Sequence, residues 1–399
     1  PISWRDMAYR DGNFRVDGRV VFPGGFNILG WKLVDPERYP EWTEADEAAS
    51  LALIPEMRDM GLGVIGMGIP LARLVTEEGT IDHAGINKQV DAIKTYEAQG
   101  IKVDLMLNWG GNGATLEKHW PGITKHLSNG VAIDIDHPGT RELVSQVMEQ
   151  LIPVISDQPA VLSWDLANEP FFNMDGWTVH AMRAYRAWLA KRHGSIASLN
   201  KAWSTNYETY GQIPLPKDRP RQRCTVGEWY DRVTFHNHRT ASFFAFVAAE
   251  IRRHDPDAVI HIKGQDNNSL GPMPDAPADG IDREMLAAST QLHGVDTRPL
   301  PVTEPRMAAQ SEDPVMAYDG SDYGLHWLGQ SFLYDYLTDL KPKQPVVDFE
   351  YHAFSINAIR VPDINPDHAR VTLWLAHLHG LVGNWVWYWH HRSAREPFP

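Results

Sequence analysis

The chain has 399 residues, 43% hydrophobic and 22% charged, and no apolar run approaches the roughly 20 residues that cross a bilayer as a helix. A formal net charge of −14 without any Lys/Arg run removes the electrostatic footprint of a nucleic-acid binder and points to a ligand that is not polyanionic, so neither nucleic acid nor membrane is an expected partner. A single cysteine, Cys224, excludes an intramolecular disulfide framework and any metal site built from several thiolates, and reads as a lone loop thiol.

Pro1-Ile2-Ser3-Trp4 carries no basic-then-apolar leader signal, and compartment and oligomeric state stay open. Residues Phe14 to Phe22 read as two short strands around an Asp17-Gly18 turn, a hairpin suited to plugging the bottom of a barrel. Short β-branched or apolar runs then alternate with amphipathic stretches, the pattern of βα units on a parallel sheet. The strands expected are Phe26–Gly30, Leu62–Gly66, Val103–Leu107, Val161–Leu166, Val259–Ile262, Val346–Phe349 and Leu381–Trp387. Between the fifth and seventh positions either Gln291–Val295 or Val315–Tyr318 could serve, and the second is favoured because Phe332–Leu340 then follows it as the sixth helix. The 3.6-residue period predicts helices over Ala48–Met60, Ile86–Gln99, Thr140–Ile155, Val179–His193, Ser242–His254 and His368–His379, with Gly61 and Gly100 just past the ends of the first two.

These elements predict an α/β fold, a single (β/α)8 TIM barrel over residues 1–399. Residues 1–25 form its N-terminal hairpin segment, and long loops lie on its C-terminal face. Only about ten residues follow the eighth strand, so the eighth helix is expected to be missing or incomplete, leaving a groove between the first and seventh helices.

Two strand tips carry the strongest chemical signals. Leu162-Ser-Trp-Asp-Leu-Ala-Asn-Glu169-Pro170 delivers Asn-Glu at the end of a hydrophobic strand that the proline cannot continue, and Pro345-Val-Val-Asp-Phe-Glu350-Tyr-His352 delivers a second glutamate in the same manner. Two carboxylates facing one pocket are the minimum apparatus for glycoside hydrolysis, one protonating the leaving oxygen and the other attacking the anomeric carbon or activating water. Fifteen tryptophans are compatible with stacking on sugar rings and equally with core filling.

With Asn-Glu-Pro at the fourth strand and a lone Glu ending the seventh, the chain resembles the clan A retaining glycoside hydrolases. The stretch from Tyr185 to Trp203, Tyr-Arg-Ala-Trp-Leu-Ala-Lys-Arg-His-Gly-Ser-Ile-Ala-Ser-Leu-Asn-Lys-Ala-Trp, is similar to the segment after the acid/base in family 42 β-galactosidases and their agarase-like relatives, as is the helix Asp231–His254 with Asp255-Pro-Asp257. Departures are Pro170, where family 42 would have an aromatic residue, and the absence of that family's cysteine cluster. The resemblance implies a retaining β-glycosidase that needs no cofactor, with Glu169 as general acid/base and Glu350 as nucleophile. It further implies Asn168 on the sugar 2-hydroxyl and Tyr323 donating to the nucleophile. On the eighth strand, Trp385, Trp387 and Trp389 share one face; if that face is the barrel interior, Trp387 or Trp389 floors the sugar site, and otherwise the three pack against helices. Trp31, Asn108, Trp109 and His352 occupy mouth positions where each could line the site or be a structural neighbour. The expected substrate is an oligosaccharide or β-glycoside, a β-galactoside first, with agar-type oligosaccharides, β-glucosides and β-mannosides behind it. Exo or endo action turns on the loops Gly110–Ile133 and Asp266–Arg306.

Two rival classes are weighed. A metal-dependent barrel hydrolase would draw on His236/His238, His377/His379 or His390/His391, but the first two pairs fall in helical patterns, where i and i+2 point about 200° apart and cannot share an ion. No metal site is expected. A non-catalytic sugar-binding barrel should have lost one of the two carboxylates, and both are present.

Overall fold

The computed structural model describes residues 3–27, 48, 51–52, 54–127, 130–172, 174–265, 280–297, 326–351 and 366–386. Eight strands close into a parallel barrel: β4 (Gly24–Asn27), β5 (Leu62–Pro70), β6 (Lys102–Asn108), β9 (Val161–Asn168), β10 (Ile260–Gln265), β11 (His293–Asp296), β12 (Val346–Tyr351) and β13 (Leu381–Val386), with β13 returning to pair with β4. Strands buried on both faces need near-continuous apolar runs, and β5 (Leu-Gly-Val-Ile-Gly-Met-Gly-Ile-Pro) and β12 (Val-Val-Asp-Phe-Glu-Tyr) supply them.

The sixth barrel position corrects the sequence reading. β11, His293–Asp296, fills it, pairing with β10 on one side and β12 on the other, so the sixth strand overlaps the alternative Gln291–Val295 rather than the favoured Val315–Tyr318, which lies outside the described residues. Two short connecting signals misled the spacing argument: helix α8 (Arg283–Ala287) precedes β11, and the helix after it, α9 (His326–Leu340), lies a long excursion away.

The bottom of the lumen is closed by a three-stranded antiparallel sheet, β1 (Ala8–Arg10), β2 (Asn13–Val16) and β3 (Arg19–Val20). Asp17 and Gly18 both take positive φ, 50° and 76°, the geometry that a tight two-residue hairpin turn requires. Trp4, Met7, Phe14 and Val16 pack against Val64, Leu162, Val347, Phe349 and Trp385 from the barrel strands. The closeness of this seal is visible at Gly63, where a Cβ would stand 2.2 Å from the Trp4 ring.

Around the barrel run α1 (Ile54–Asp59), α2 (His83–Ala98), α4 (Pro138–Ser156), α7 (Val226–His254) and α10 (Pro366–Leu378); a short α3 (Gly113–His119) sits in the loop after β6. Gly61 and Gly100 take positive φ just after α1 and α2, as expected of helix-ending glycines. Helix α7 begins well before Ser242 because Thr225 caps it, accepting from the Glu228 amide at 3.3 Å, and nothing breaks it before Asp255.

Between β9 and α7 an excursion folds on its own small core. Helices α5 (Val179–His193) and α6 (Ile196–Trp203) bring Trp177, Tyr185, Leu189, Leu199 and Trp203 together with Phe235 of α7. The Tyr185–Trp203 string that carries the family resemblance is therefore architecture. Helix α10 turns Val371, Trp374 and Leu378 outward at 50, 63 and 76% exposure, an apolar stripe at helical spacing that no described residue covers.

Candidate active site

β9 ends at Asn168, and Glu169 then leaves the strand in the left-handed region at φ 43°. A side chain other than glycine there costs about 1–2 kcal/mol, so the surroundings must hold it. Its amide donates to the carbonyl of Lys263 on β10 at 2.7 Å, and Pro170 removes the next donor. Glu350 reaches the same mouth by a different irregularity. Strict alternation along β12 would send it with Val346 and Asp348 away from the lumen. The register against β13 shifts between Asp348 and Tyr351: Phe349 faces the lumen, Tyr351 bonds Thr372 on α10, and Glu350 between them turns inward to Lys263.

Four charged side chains converge here. Carboxylate oxygens of Glu169, Asp296 and Glu350 lie within 4.8 Å of one another, and the Lys263 ammonium is ion-paired with Glu350 Oε2. Burial, the Asp296 hydrogen bond and the Glu350 charge together push the Glu169 carboxyl up to about 9. Burial alone would lower Lys263, but Glu350 and Asp165 outweigh it and raise the ammonium above its ordinary value. Three carboxylates this close could also share a divalent cation; the position beside Glu350 is taken by the ammonium.

A polar layer supports the mouth from below. Asp165 Oδ1 accepts from the amides of Ala167 (3.2 Å) and Lys263 (3.0 Å), fixing the strand ends that present Glu169. His261 lies flat against Phe349, ring centroids 3.5 Å apart, with Nε2 2.9 Å from Asp104 Oδ1. Behind Glu350, Asp348 accepts its amide at 3.2 Å and the Tyr334 hydroxyl at 2.9 Å. Burial raises Asp165 to about 6 and Asp348 to about 7.

The other expected residues divide. Asn168 stands at the tip of β9 with a buried Oδ1 that accepts no hydrogen bond among the described residues, as a contact reserved for a ligand hydroxyl would. Asn108 is half-buried at the tip of β6 and its Oδ1 accepts from the Gly110 amide at 2.9 Å, a loop-shaping role. Trp109 donates Nε1 to the Leu166 carbonyl at 2.7 Å and meets Phe243 edge-on, so it packs among barrel and helix as a structural neighbour. Trp385 faces the lumen, but deep in the plug beside Phe14 and Phe349. Trp31, Tyr323, His352, Trp387 and Trp389 lie outside the described residues. His236, from the helical histidine pairs, is engaged by Trp177 Nε1 at 3.1 Å, Arg239 Nη1 at 2.8 Å and the Phe172 carbonyl at 2.6 Å.

Lys263 and Asp296 were missed. Lys263 carried a signal, since a lysine two residues past His261 on a barrel strand shares the inward face, and a buried lysine demands a counter-charge. Asp296 ends the very strand that the sequence reading passed over.

Known proteins bear on this geometry. A family model described as Beta-galactosidase, of glycoside hydrolase family 42, matches residues 36–396. Beta-galactosidase BbgII of Bifidobacterium bifidum is 24% identical over 210 residues, 48% of this chain and 27% of its own. The structure of an exo-carrageenase of the same family from Bacteroides ovatus superposes with a TM-score of 0.70 at 22% identity, covering 99% of this chain and 51% of its own. Gan42B, a β-galactosidase of the family from G. stearothermophilus, superposes at 0.73 and 19% identity, covering 94% and 52%. This chain thus spans about half the length of those two solved proteins, and the likeness to them shows the fold.

Proposed function

We propose, from the premise that this chain belongs to glycoside hydrolase family 42, that it cleaves β-galactosidic bonds with retention of configuration, Glu169 serving as acid/base and Glu350 as nucleophile. The observation that carries the reading is the placement of the two carboxylates. One oxygen of each lies within 4.8 Å of one of the other, which favours the roughly 5–5.5 Å spacing of retaining sites over the roughly 6.5–9.5 Å of inverting ones.

The two environments then divide the labour. Glu169, raised to about 9 by burial, the Asp296 bond and the Glu350 charge, arrives protonated and gives its proton to the departing oxygen. Glu350, countered by the Lys263 ammonium, attacks the anomeric carbon and forms the glycosyl ester. Esterification removes the Glu350 charge, the third of the causes that raise Glu169, so Glu169, having given its proton to the leaving oxygen, stays ionised more readily and is available as the carboxylate that takes a proton from the water completing turnover. Asn168 binds the 2-hydroxyl in this reading, a role its buried Oδ1 supports, and the galactoside preference follows the named family members.

A panel of aryl β-glycosides followed by NMR of the first-formed anomer tests this, with the galactoside fastest and the β-anomer released first. Glu350→Ala should lose activity by several orders of magnitude on every substrate. Glu169→Ala should still form the intermediate from a dinitrophenyl glycoside and then stall. Azide should rescue Glu169→Ala to the β-glycosyl azide and Glu350→Ala to the α-anomer; reversed anomers would mean that the roles are exchanged, and unimpaired mutants would end the glycosidase reading.

A further inference from the structure

We propose that Lys263 is the positioning residue of this site, tying the two glutamates together by holding the backbone of one and the carboxylate of the other. The inference rests on the glutamate roles proposed above and adds a third residue to them. Lys263 is 3% exposed and enters the lumen where the register of β10 against β9 shifts between His261 and Lys263. The extra residue at that place lies on β9, between Asp165 and Asn168, so Lys263 keeps the inward face that it shares with His261. Three bonds leave this one residue. Its carbonyl accepts from the Glu169 amide at 2.7 Å, its amide donates to Asp165 Oδ1 at 3.0 Å, and its ammonium meets Glu350 Oε2. The two glutamates, on whose spacing double displacement depends, are therefore joined through a single residue, by its carbonyl at one end and its ammonium at the other.

The charge balance requires the same residue. Glu350, Asp165 and Asp296 all face the ammonium and raise it, with Glu169 close by, and no other described cation is ion-paired with Glu350. Without it, a second carboxylate of the cluster would take up a proton, and Glu350 would lose both its aim and its charge. A lysine suits the place because a compact point charge can face several oxygens at once, whereas an arginine fork needs a planar partner and more room.

Lys263→Gln keeps the main-chain bonds and most of the volume, and Lys263→Ala leaves space for an added amine. With a dinitrophenyl β-galactoside, which needs no acid, both should lose about 10²-fold in kcat with little change in KM. The acid limb of kcat/KM should move to higher pH in Lys263→Gln, and methylammonium should restore Lys263→Ala by at least about 10-fold. A merely structural lysine would give neither the shifted limb nor the amine rescue, and their joint absence overturns the proposal. A crystal structure of Lys263→Gln decides independently of turnover: the Glu350 carboxylate should swing from its place while the Glu169 main chain stays. An unmoved Glu350 overturns the proposal. Should the wild-type protein cleave no aryl glycoside, the glutamate roles fall, and the crystal structure still settles whether Lys263 positions Glu350.

Discussion

At the start of α7, Glu228 and Asp231 are buried at 0 and 3% exposure, and each is met by basic side chains. Arg219 and Arg232 converge on Glu228 at 2.8 and 2.6 Å, and Arg192 and His193 on Asp231 at 2.8 and 2.7 Å, with Trp203 adding a 2.8 Å bond. At the barrel mouth Glu169, Asp296 and Glu350 gather around the ammonium of Lys263, the one cation ion-paired with Glu350 among the described residues. Both regions bury acids, and the difference is stoichiometry. Where cations match or outnumber carboxylates, the cluster is a fastener between the excursion and α7. Where carboxylates outnumber cations, one must hold a proton, and a held proton is what acid catalysis uses.

The largest effect that could break this comparison is on the fastener. Glu228→Ala strands the Arg232 guanidinium, 1% exposed, beside Arg219 and should cost about 3–5 kcal/mol in chemical denaturation, with the pH–rate profile unchanged. A stable variant, or one whose profile shifted, would dissolve the distinction between the regions.

Asp296→Asn sharpens it from the other side. Burial, the Asp296 bond and the Glu350 charge hold Glu169 up to about 9, so deleting the Asp296 charge lets Glu169 release its proton at lower pH. The acid must be protonated to work, so the basic limb of kcat/KM should move down in pH. Activity should fall about 10-fold, more above neutrality than below it. An upward or absent shift would show that Asp296 does not share the Glu169 proton.

Trp109→Phe should do least. It removes the Nε1 bond to the Leu166 carbonyl and keeps the edge contact with Phe243, a loss of about 1 kcal/mol in stability with kcat untouched. A rise in KM or a drop in kcat would return Trp109 to the sugar site.

How much was legible beforehand follows the physics of each signal. Continuous apolar runs ending in Glu announced β9 and β12, and with them Glu169 and Glu350, because strand burial and strand-tip chemistry are both written locally. β11 was offered as the alternative Gln291–Val295 but not preferred, because His293-Gly-Val-Asp296 is only four residues long and buried throughout, with neither alternation nor length to distinguish it. Asp296 was lost with it. Lys263 was legible only in part: its spacing from His261 puts it on the inward face, but its partner Glu350 is 87 residues away and no local pattern names it. The hairpin at Asp17-Gly18 was readable because a tight turn needs its own residue types whatever surrounds it.

The φ of 43° at Glu169 has a consequence beyond geometry. Glycine is the residue most at ease in that conformation, so Glu169→Gly should melt above Glu169→Ala by the equivalent of about 1 kcal/mol, while both lack the acid. Stability and turnover thus pull this position in opposite directions. In a lineage released from selection for hydrolysis, drift should favour glycine here, leaving Lys263 and Glu350 standing over an abandoned site; a homologue with that combination would read as a former enzyme, its history recorded at a single backbone angle.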